Sequence, residues 1–342
     1  MEKKERAPVY YSEYLQLDKI LDAQLPESGK EGIKADDEML FIIIHQTYEL
    51  WFKQILHELD VIREIFKQPN IPNNSPDIYN SVHRMKRVCR ILDITVMQMS
   101  VLETMTPLDF LDFRDLLRPA SGFQSIQFKI LEATLGLPYQ QRHGQNYYLS
   151  QLNQGDIDRV KKAESQESLL VLINRWLERM PFAKDSYWQE AAGVDFWRQY
   201  REAYAGNLSE VEMQNLKGFD ALLMDDENYP KERRFSADAS RAALFIMLYR
   251  DYPLLHLPYE LVSGLLEIDE LLSMWRHRHI HMVQRTIGKR VGTGGSTGAE
   301  YLRGAADSHY IFKELAELTS FLVSRNHLPK LPEKLVNGLS YN

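Results

Sequence analysis

The feature that most constrains the fold is the spacing of large side chains in two long segments. In residues 36–67 these side chains recur at alternating steps of four and three, which places them on one face of an α-helix. Residues 261–286 repeat the same spacing. We name these faces the first stripe (Phe41, His45, Tyr48, Phe52, Ile55, Leu59, Ile62 and Phe66) and the second stripe (Leu261, Leu265, Ile268, Leu272, Trp275, His279, Met282 and Thr286). Because the alternating pattern of β-strands is hard to find, the sequence predicts an all-α fold.

Local signals bound the individual helices. Thr106 is a good helix cap and Pro107 suits a first helical turn, so a helix should begin there and stop near Pro119. The proline- and asparagine-rich turn KQPNIPNNSP separates two longer helices. The helices predicted most clearly are residues 36–67, about 78–105, 106–119 and about 259–285, with a final amphipathic stretch at 309–325.

Polarity divides the chain into a core and an insertion. Residues 141–235 are more polar than the rest and include charged stretches such as MDDENYPKERR. We expect a single domain over residues 1–342, in which residues 1–140 and 236–342 form a helical bundle. Residues 141–235 are then a peripheral helical insertion.

Composition excludes several classes of protein. A net charge of -7 leaves no basic excess for binding duplex nucleic acid. Cys89 is the only cysteine, which excludes an internal disulfide and any multi-cysteine metal site. No run of 18 apolar residues and no signal-peptide core occur, so we expect a cytoplasmic protein without a membrane partner.

Three histidines alternate in RHRHIH, but they do not share a helical face. His279 belongs to the second stripe, whereas His277 and His281 lie together on another face and lack the glutamate of the H-E-x-x-H motif. A three-histidine metal cluster is therefore not expected. His45 stands in the first stripe in the same way. Each of these two histidines is either a core residue whose hydrogen bonds are satisfied within the protein or a functional ligand.

An arginine is predicted to be buried in DFLDFRDLLRP. Arg114 shares a helical face with Phe110, and burying its charge is costly unless an anion meets it. That anion is either the carboxylate of a ligand or one of the neighbouring aspartates. These aspartates are Asp109, Asp112 and Asp115.

The segment GTGGSTG, residues 292–298, matches neither the dinucleotide-binding motif nor the phosphate-binding P-loop. Its glycines and the hydroxyl of Thr293 suit a mobile lid over a ligand, and the alternative is an ordinary loop that ends a helix. Two stripe histidines, one buried arginine and this loop together indicate a pocket inside a helical bundle. A haem held by one neutral histidine is the natural cofactor for such a pocket. Arg276, Arg278 and Arg285 could pair with haem propionates, although solvent-exposed faces explain them equally well.

Four blocks of the sequence resemble one known family. YLQLDKILDAQ, DDEMLFIIIHQTYELWFKQILHELD, SVLETMTPLDFLDFRDLLRPASGFQSIQF and MWRHRHIHMVQRTIGKRVGTGGSTGAEYLR are similar to the signature blocks of the tryptophan 2,3-dioxygenases. The resemblance implies an all-α enzyme with one haem b per subunit, ferrous when active, which cleaves the indole C2–C3 bond of L-tryptophan with O₂. The product would be N-formyl-L-kynurenine, in the first step of tryptophan degradation. A homotetramer is also implied, in which the N-terminal segment reaches a neighbouring active site.

The resemblance also assigns roles to individual residues. His279 corresponds to the axial ligand of the haem iron, and His45 to the catalytic histidine that faces the indole N–H. Phe41 matches the aromatic residue that packs on the indole ring, and Arg114 the residue that binds the substrate carboxylate. Three further substrate-binding residues are implied: Thr293 in the glycine-rich loop, and Tyr11 and Tyr14 from the adjacent subunit.

Three other functions stay open at this point. A monooxygenase on the same scaffold would use nearly the same residues and add one oxygen atom rather than two. A haem-based gas or tryptophan sensor would bind without turnover. A helical scaffold with purely structural histidines would be colourless.

Overall fold

The computed structural model describes residues 7–142, 149, 152–288, 290 and 298–340, and within these residues every regular element is a helix. This confirms the all-α prediction. The α-helices are, in chain order, α1 (Tyr11–Leu15), α2 (Leu17–Leu21), α3 (Glu27–Lys30), α4 (Asp37–Phe66), α5 (Pro76–Leu102), α6 (Pro107–Phe113), α7 (Ile126–Leu135), α8 (Gln154–Glu164), α9 (Leu169–Glu178), α10 (Asp185–Ala192), α11 (Phe196–Asn207), α12 (Asn215–Leu223), α13 (Ala237–Leu248), α14 (Pro253–Ile287), α15 (Gly298–Ser308), α16 (Lys313–Glu317) and α17 (Glu333–Leu339).

Three long helices, α4, α5 and α14, pack together at the centre of the fold. The close approach of α5 and α14 depends on Gly264, because a Cβ at that position would lie 2.6 Å from Cγ of Met85. The backbone carbonyl of Gly264 also accepts a weak hydrogen bond from the Cys89 thiol, at 3.7 Å. Among the described residues, no helix has the length and hydrophobicity needed to span a bilayer.

Caps and prolines set the ends of the helices. The Ser75 hydroxyl accepts from the amide of Ile78 at the start of α5, and Thr106 and Asp109 cap each other at the start of α6 as a capping box. The prediction for α14 was wrong at its start, because the helix begins at Pro253 and continues through Pro258. The predicted stretch at 309–325 is instead the short helix α16 followed by a 3₁₀ turn at Leu318–Phe321.

Each stripe divides into a packed half and a half that faces a cavity. The packed halves are almost completely buried in the main hydrophobic core. They comprise Ile55, Leu59, Ile62 and Phe66 on α4, and Leu261, Leu265, Ile268 and Leu272 on α14. The other halves line one cavity, with Phe41, His45, Tyr48 and Phe52 on α4, and Trp275, His279, Met282 and Thr286 on α14. Dense packing of one half therefore holds the cavity-lining half in place.

Residues 141–235 contribute many of the largest buried side chains. Trp176, Trp188, Trp197, Tyr200 and Tyr204 are each no more than 1% exposed, and all belong to the main hydrophobic core. The aromatic side chains of this polar segment thus pack into the same core as α4 and α14. The division into core and insertion stays a prediction.

Candidate active site

A cavity of about 270 Å³ lies among α4, α6, α7, α14 and α15. Phe41, His45, Arg114 and His279 all line it. Four of the predicted site residues, from three distant parts of the sequence, therefore meet around one space. Other lining residues are mostly apolar, among them Tyr48, Phe52, Met99, Leu102, Phe128, Trp275, Met282 and Leu302.

On the α4 side, the imidazole of His45 lies against Phe41, with ring centroids 4.1 Å apart. Nδ1 of His45 is 2.7 Å from the carbonyl oxygen of Phe41. Because a carbonyl oxygen only accepts, Nδ1 carries the hydrogen and Nε2 is the acceptor in the neutral ring. Burial lowers the pKa of His45 below its ordinary value of 6.5, so the ring is neutral at pH 7. The site thus holds a histidine in a defined tautomer.

On the α14 side, His279 contacts the indole ring of Trp275, with ring centroids 5.2 Å apart. Burial, with a smaller contribution from the charge of His45, lowers the pKa of His279 to about 4. Nδ1 of His279 is buried and has no hydrogen-bond partner among the described residues. A satisfied core histidine would have such a partner. The geometry therefore favours a ligand-binding role over a purely structural one.

Aromatic rings build the wall beside His279. Trp275 lies 4.9 Å from Phe128 and 6.1 Å from Tyr48, measured between ring centroids. The hydroxyl of Tyr48 donates to the backbone carbonyl of Thr95 at 3.1 Å, which fixes the ring against α5. This packing leaves a rigid, apolar surface next to the imidazole.

Arg114 follows α6 and opens the 3₁₀ turn Arg114–Leu117. Its side chain is 3% exposed, and its guanidinium carbon lies 5.9 Å from the ring centroid of Phe110. Two of the three neighbouring aspartates hold other groups: Asp109 caps α6 through Thr106, and Asp115 pairs with Arg118 at 3.3 Å. A buried guanidinium in the cavity wall suits the capture of a ligand carboxylate.

The loop before α7 lines the cavity through Ser121, Gly122, Phe123 and Ser125. The hydroxyl of Ser125 donates to the carboxylate of Glu49 at 2.6 Å and accepts from the amide of Phe128 at 3.3 Å, so it caps α7 and ties it to α4. The sequence reasoning did not single out these residues. A serine immediately before the first residue of an apolar helix was the available signal.

A second feature missed by the sequence reasoning is a buried carboxylate on α7. Glu132 is 4% exposed and accepts from Arg142 at 2.6 Å, from Arg276 at 2.7 Å and from Nδ1 of His309 at 3.2 Å. Burial raises the pKa of Glu132, but the hydrogen bond from His309 and the charges of both arginines outweigh it and hold the pKa well below 4.5. An acidic residue inside the apolar run ILEATLG was the only sequence signal.

The structure does not show the other predicted substrate-binding residues in this cavity. Tyr11 and Tyr14 are each 75% exposed in the chain and do not line the cavity. Thr293 and most of the glycine-rich segment lie outside the described residues. His277 and His281 are exposed, on the face opposite the cavity-lining residues. Within the described part of the chain, no group of three or more His, Cys, Asp or Glu could hold a bare metal ion.

Comparisons with known proteins show the family of this chain. A family model described as tryptophan 2,3-dioxygenase matches residues 1–322. Among similar proteins, the tryptophan 2,3-dioxygenase of Bdellovibrio bacteriovorus is 40% identical, with 98% of this chain and 99% of that protein covered. That of Dictyostelium discoideum is 42% identical over 97% of this chain and 88% of that protein, and that of Xenopus tropicalis is 38% identical over 97% and 86%. The chain therefore belongs to the tryptophan 2,3-dioxygenase family.

Proposed function

We propose that this protein is a haem-dependent tryptophan 2,3-dioxygenase, which cleaves the indole C2–C3 bond of L-tryptophan with O₂ to give N-formyl-L-kynurenine. The observation that carries the proposal is the meeting of His279, His45, Phe41 and Arg114 around one cavity in a chain of this family. The four side chains supply the kinds of contact that haem and a zwitterionic aromatic amino acid require.

The residues present fit a haem group. His279 is neutral at pH 7, which is the form of imidazole that ligates iron. No hydrogen bond from a described residue engages its Nδ1, and the wall around it is aromatic and apolar. His279 would therefore hold the haem from α14. When bound, ferrous haem supplies the oxygen chemistry that amino-acid side chains lack.

The amino-acid substrate would be held by its two ends. Arg114 binds the carboxylate, because a desolvated guanidinium gives a strong bidentate pair with that group. Phe41 packs on the indole ring, next to Phe110 at 5.6 Å between ring centroids. Fixing both ends makes an encounter between the C2–C3 bond and oxygen effectively unimolecular.

The role of His45 follows from its tautomer. Because Nδ1 donates to the carbonyl of Phe41, Nε2 is the atom that accepts the indole N–H. A neutral acceptor with a lowered pKa orients the indole and is a weak base. We therefore assign His45 an orienting role rather than an obligatory removal of the proton.

The assembly and the remaining contacts are also part of the proposal. Tyr11, Tyr14 and Thr293 would complete the substrate site, the two tyrosines from an adjacent copy in a homotetramer. The high exposure of both tyrosines in one chain supports this assignment, because large exposed aromatics commonly mark contact surfaces. We propose one domain for the whole chain and a cytoplasmic location.

The decisive experiment mixes the haem-loaded ferrous protein with L-tryptophan without oxygen and then adds ¹⁸O₂. N-formylkynurenine carrying two labelled oxygen atoms is the expected product, seen by its absorbance and mass. A product with one added oxygen would identify a monooxygenase instead. A stable oxygen complex without product would identify a sensor.

A further inference from the structure

Glu49 joins two parts of the cavity wall that are distant in the sequence. It stands on α4 one turn after His45 and two turns after Phe41, and all three side chains line the cavity. The second part of the wall consists of a 3₁₀ turn, a serine cap and the start of α7, and we call it the 121–128 segment. This segment contributes Ser121, Gly122, Phe123, Ser125 and Phe128 to the cavity lining.

Both oxygen atoms of the Glu49 carboxylate accept hydrogen bonds from the 121–128 segment. The hydroxyl of Ser125 donates to Oε1 at 2.6 Å, and Nε2 of Gln127 donates to Oε2 at 2.9 Å. The same nitrogen of Gln127 donates to the backbone carbonyl oxygen of Glu49 at 2.7 Å. Because the acceptor is ionised, the two side-chain bonds are stronger than bonds between neutral groups. Glu49 therefore ties this segment to α4.

The 121–128 segment is held together by its own hydrogen bonds. The hydroxyl of Ser125 also accepts from the amide of Phe128 at 3.3 Å, and the amide of Ser125 donates to the carbonyl of Gly122 at 3.1 Å. The amide of Ser121 donates to the side chain of Gln124 at 3.3 Å. A shift of Ser125 relative to α4 should therefore move the cavity-lining residues of the segment together.

The contacts of Glu49 require a carboxylate rather than a side chain of the same size. The groups that reach Oε1 and Oε2 are both donors, from Ser125 and Gln127. An ionised carboxylate only accepts, whereas an amide presents one accepting oxygen and one donating nitrogen. The substitution Glu49→Gln thus places a donor against one of these two donors while it preserves the volume of the side chain.

The charge of Glu49 also acts on His45. Burial lowers the pKa of His45, whereas the hydrogen bond with Phe41 and the charge of Glu49 oppose that shift. The carboxylate is thus close enough to influence the imidazole as well as the 121–128 segment.

We propose that Glu49 is a positioning residue, whose carboxylate fixes the 121–128 segment against α4 and so sets the width of the cavity next to His45 and Phe41. The inference rests on the proposed haem-dependent function. Phe52 and Phe128 also pack α4 against α7, with ring centroids 5.3 Å apart. Loss of the hydrogen bonds should therefore shift the segment without unfolding it.

The test introduces Glu49→Gln into the full-length, haem-loaded protein. Haem content and KM for tryptophan should stay close to the wild-type values, because His279 and Arg114 stand on other elements. kcat should fall by roughly tenfold to a hundredfold, since a displacement of about 1 Å can cost a factor of about 100. The C–O stretching band of the ferrous carbon monoxide complex should also shift or broaden, because its frequency responds to the electric field beside the iron.

A second variant tests the contact from its other side. Gln127→Met removes one donor and leaves the charge of Glu49 in place, so it should lower kcat and change the C–O band in the same direction. The double variant Glu49→Gln/Gln127→Met should lower kcat by less than the product of the two single effects, because both substitutions break one contact. Single effects that multiply would contradict the proposed tie. Gln127→Met also provides the test if Glu49→Gln does not fold.

A matched control separates this role from a general effect of charge on α4. Glu64→Gln, at an exposed pair with Lys67 further along the helix, should change neither kcat nor the C–O band. An unchanged kcat and band in Glu49→Gln would overturn the proposal, and so would a loss of haem with an unchanged band in the protein that stays loaded. The band is measured without turnover, so it tests Glu49 independently of the reaction. Absence of N-formylkynurenine with the wild-type protein would instead contradict the proposed function.

Discussion

The imidazole of His45 is fixed by the backbone of Phe41, one helical turn earlier, because Nδ1 donates to that carbonyl oxygen at 2.7 Å. The orientation and the tautomer of the ring are therefore set within α4 and need no second side chain. The lowered pKa of His45, caused by burial, keeps the acceptor nitrogen unprotonated at neutral pH.

This arrangement predicts the pH dependence of catalysis. Protonation of His45 removes the acceptor, so kcat/KM for tryptophan should fall as the pH drops through the pKa of His45, which lies below 6.5. Steady-state rates between pH 4.5 and 8 check this, because that range extends on both sides of 6.5 and covers lower values. The acidic limb should vanish in His45→Asn. A limb centred above 6.5, or one unchanged in the variant, would contradict the assignment.

Removing the imidazole should separate binding of haem from turnover. We expect His45→Ala to keep the Soret band of the haem-loaded protein and to lose part of kcat, because an orienting contact contributes to the rate without holding the cofactor. Absorption spectra and initial rates provide the measurement. Loss of haem from this variant would indicate that His45, and not His279, is the haem ligand.

His279 should be required for haem binding. His279→Ala should purify without tightly bound haem, since no other described histidine beside it on α14 lines the cavity. His277→Ala, two residues away and exposed, is the matched control and should retain full haem content. The haem content of both proteins can be measured as the pyridine complex. Full occupancy with an ordinary spectrum in His279→Ala would refute the ligand assignment.

Arg114 should discriminate ligands by their carboxylate. Arg114→Leu should weaken binding of tryptophan by roughly 2–5 kcal/mol, the scale for truncating one partner of a buried charge pair. Indole, which has no carboxylate, should bind the variant and the wild-type protein equally. Arg118→Leu, which removes an exposed partner of Asp115, serves as the control. An unchanged KM for tryptophan in Arg114→Leu would assign Arg114 to structure.

The ion pairs that Glu132 forms with Arg142 and Arg276 should contribute to stability. Glu132→Gln should lower the free energy of unfolding by about 3–5 kcal/mol, because Arg142 and Arg276 then lose a buried counter-charge. The pKa of Glu132 is lowered in the folded protein, so its contribution is complete above pH 4.5 and is lost as the pH falls through the lowered value. Urea unfolding at pH 7, and at a series of pH values below 4.5, measures both effects. Glu64→Gln, at an exposed pair with Lys67, should leave the midpoint unchanged. Equal midpoints for both variants at pH 7 would contradict the role of Glu132.

The parts of the site that depend on the pattern within a single helix could be predicted from the sequence. The spacing of the two stripes placed His45 and His279 on the inner faces of α4 and α14, and Thr106 marked the start of α6. Periodicity reports which side of a helix is buried, so it identified these residues before any packing was known. It could not say which half of a stripe faces a cavity.

Contacts between distant segments could not be predicted from the sequence. Glu132 meets Arg276 and His309 across 144 and 177 residues, and nothing local at either end records that pairing. The start of α14 was misplaced for a related reason. A proline normally ends a helical pattern, yet Pro258 is accommodated within α14, where it is buried against neighbouring helices.

The division of α4 and α14 into packed and cavity-lining halves has a consequence for how this protein can vary. In each helix the packed half, around Leu59 in α4 and Leu265 in α14, is held in the hydrophobic core. The other half presents His45 or His279 to the cavity. A change of side-chain volume in the packed half would tilt the helix and displace the imidazole several turns away. We therefore expect substitutions in the packed halves, which do not line the cavity, to alter selectivity for the substrate.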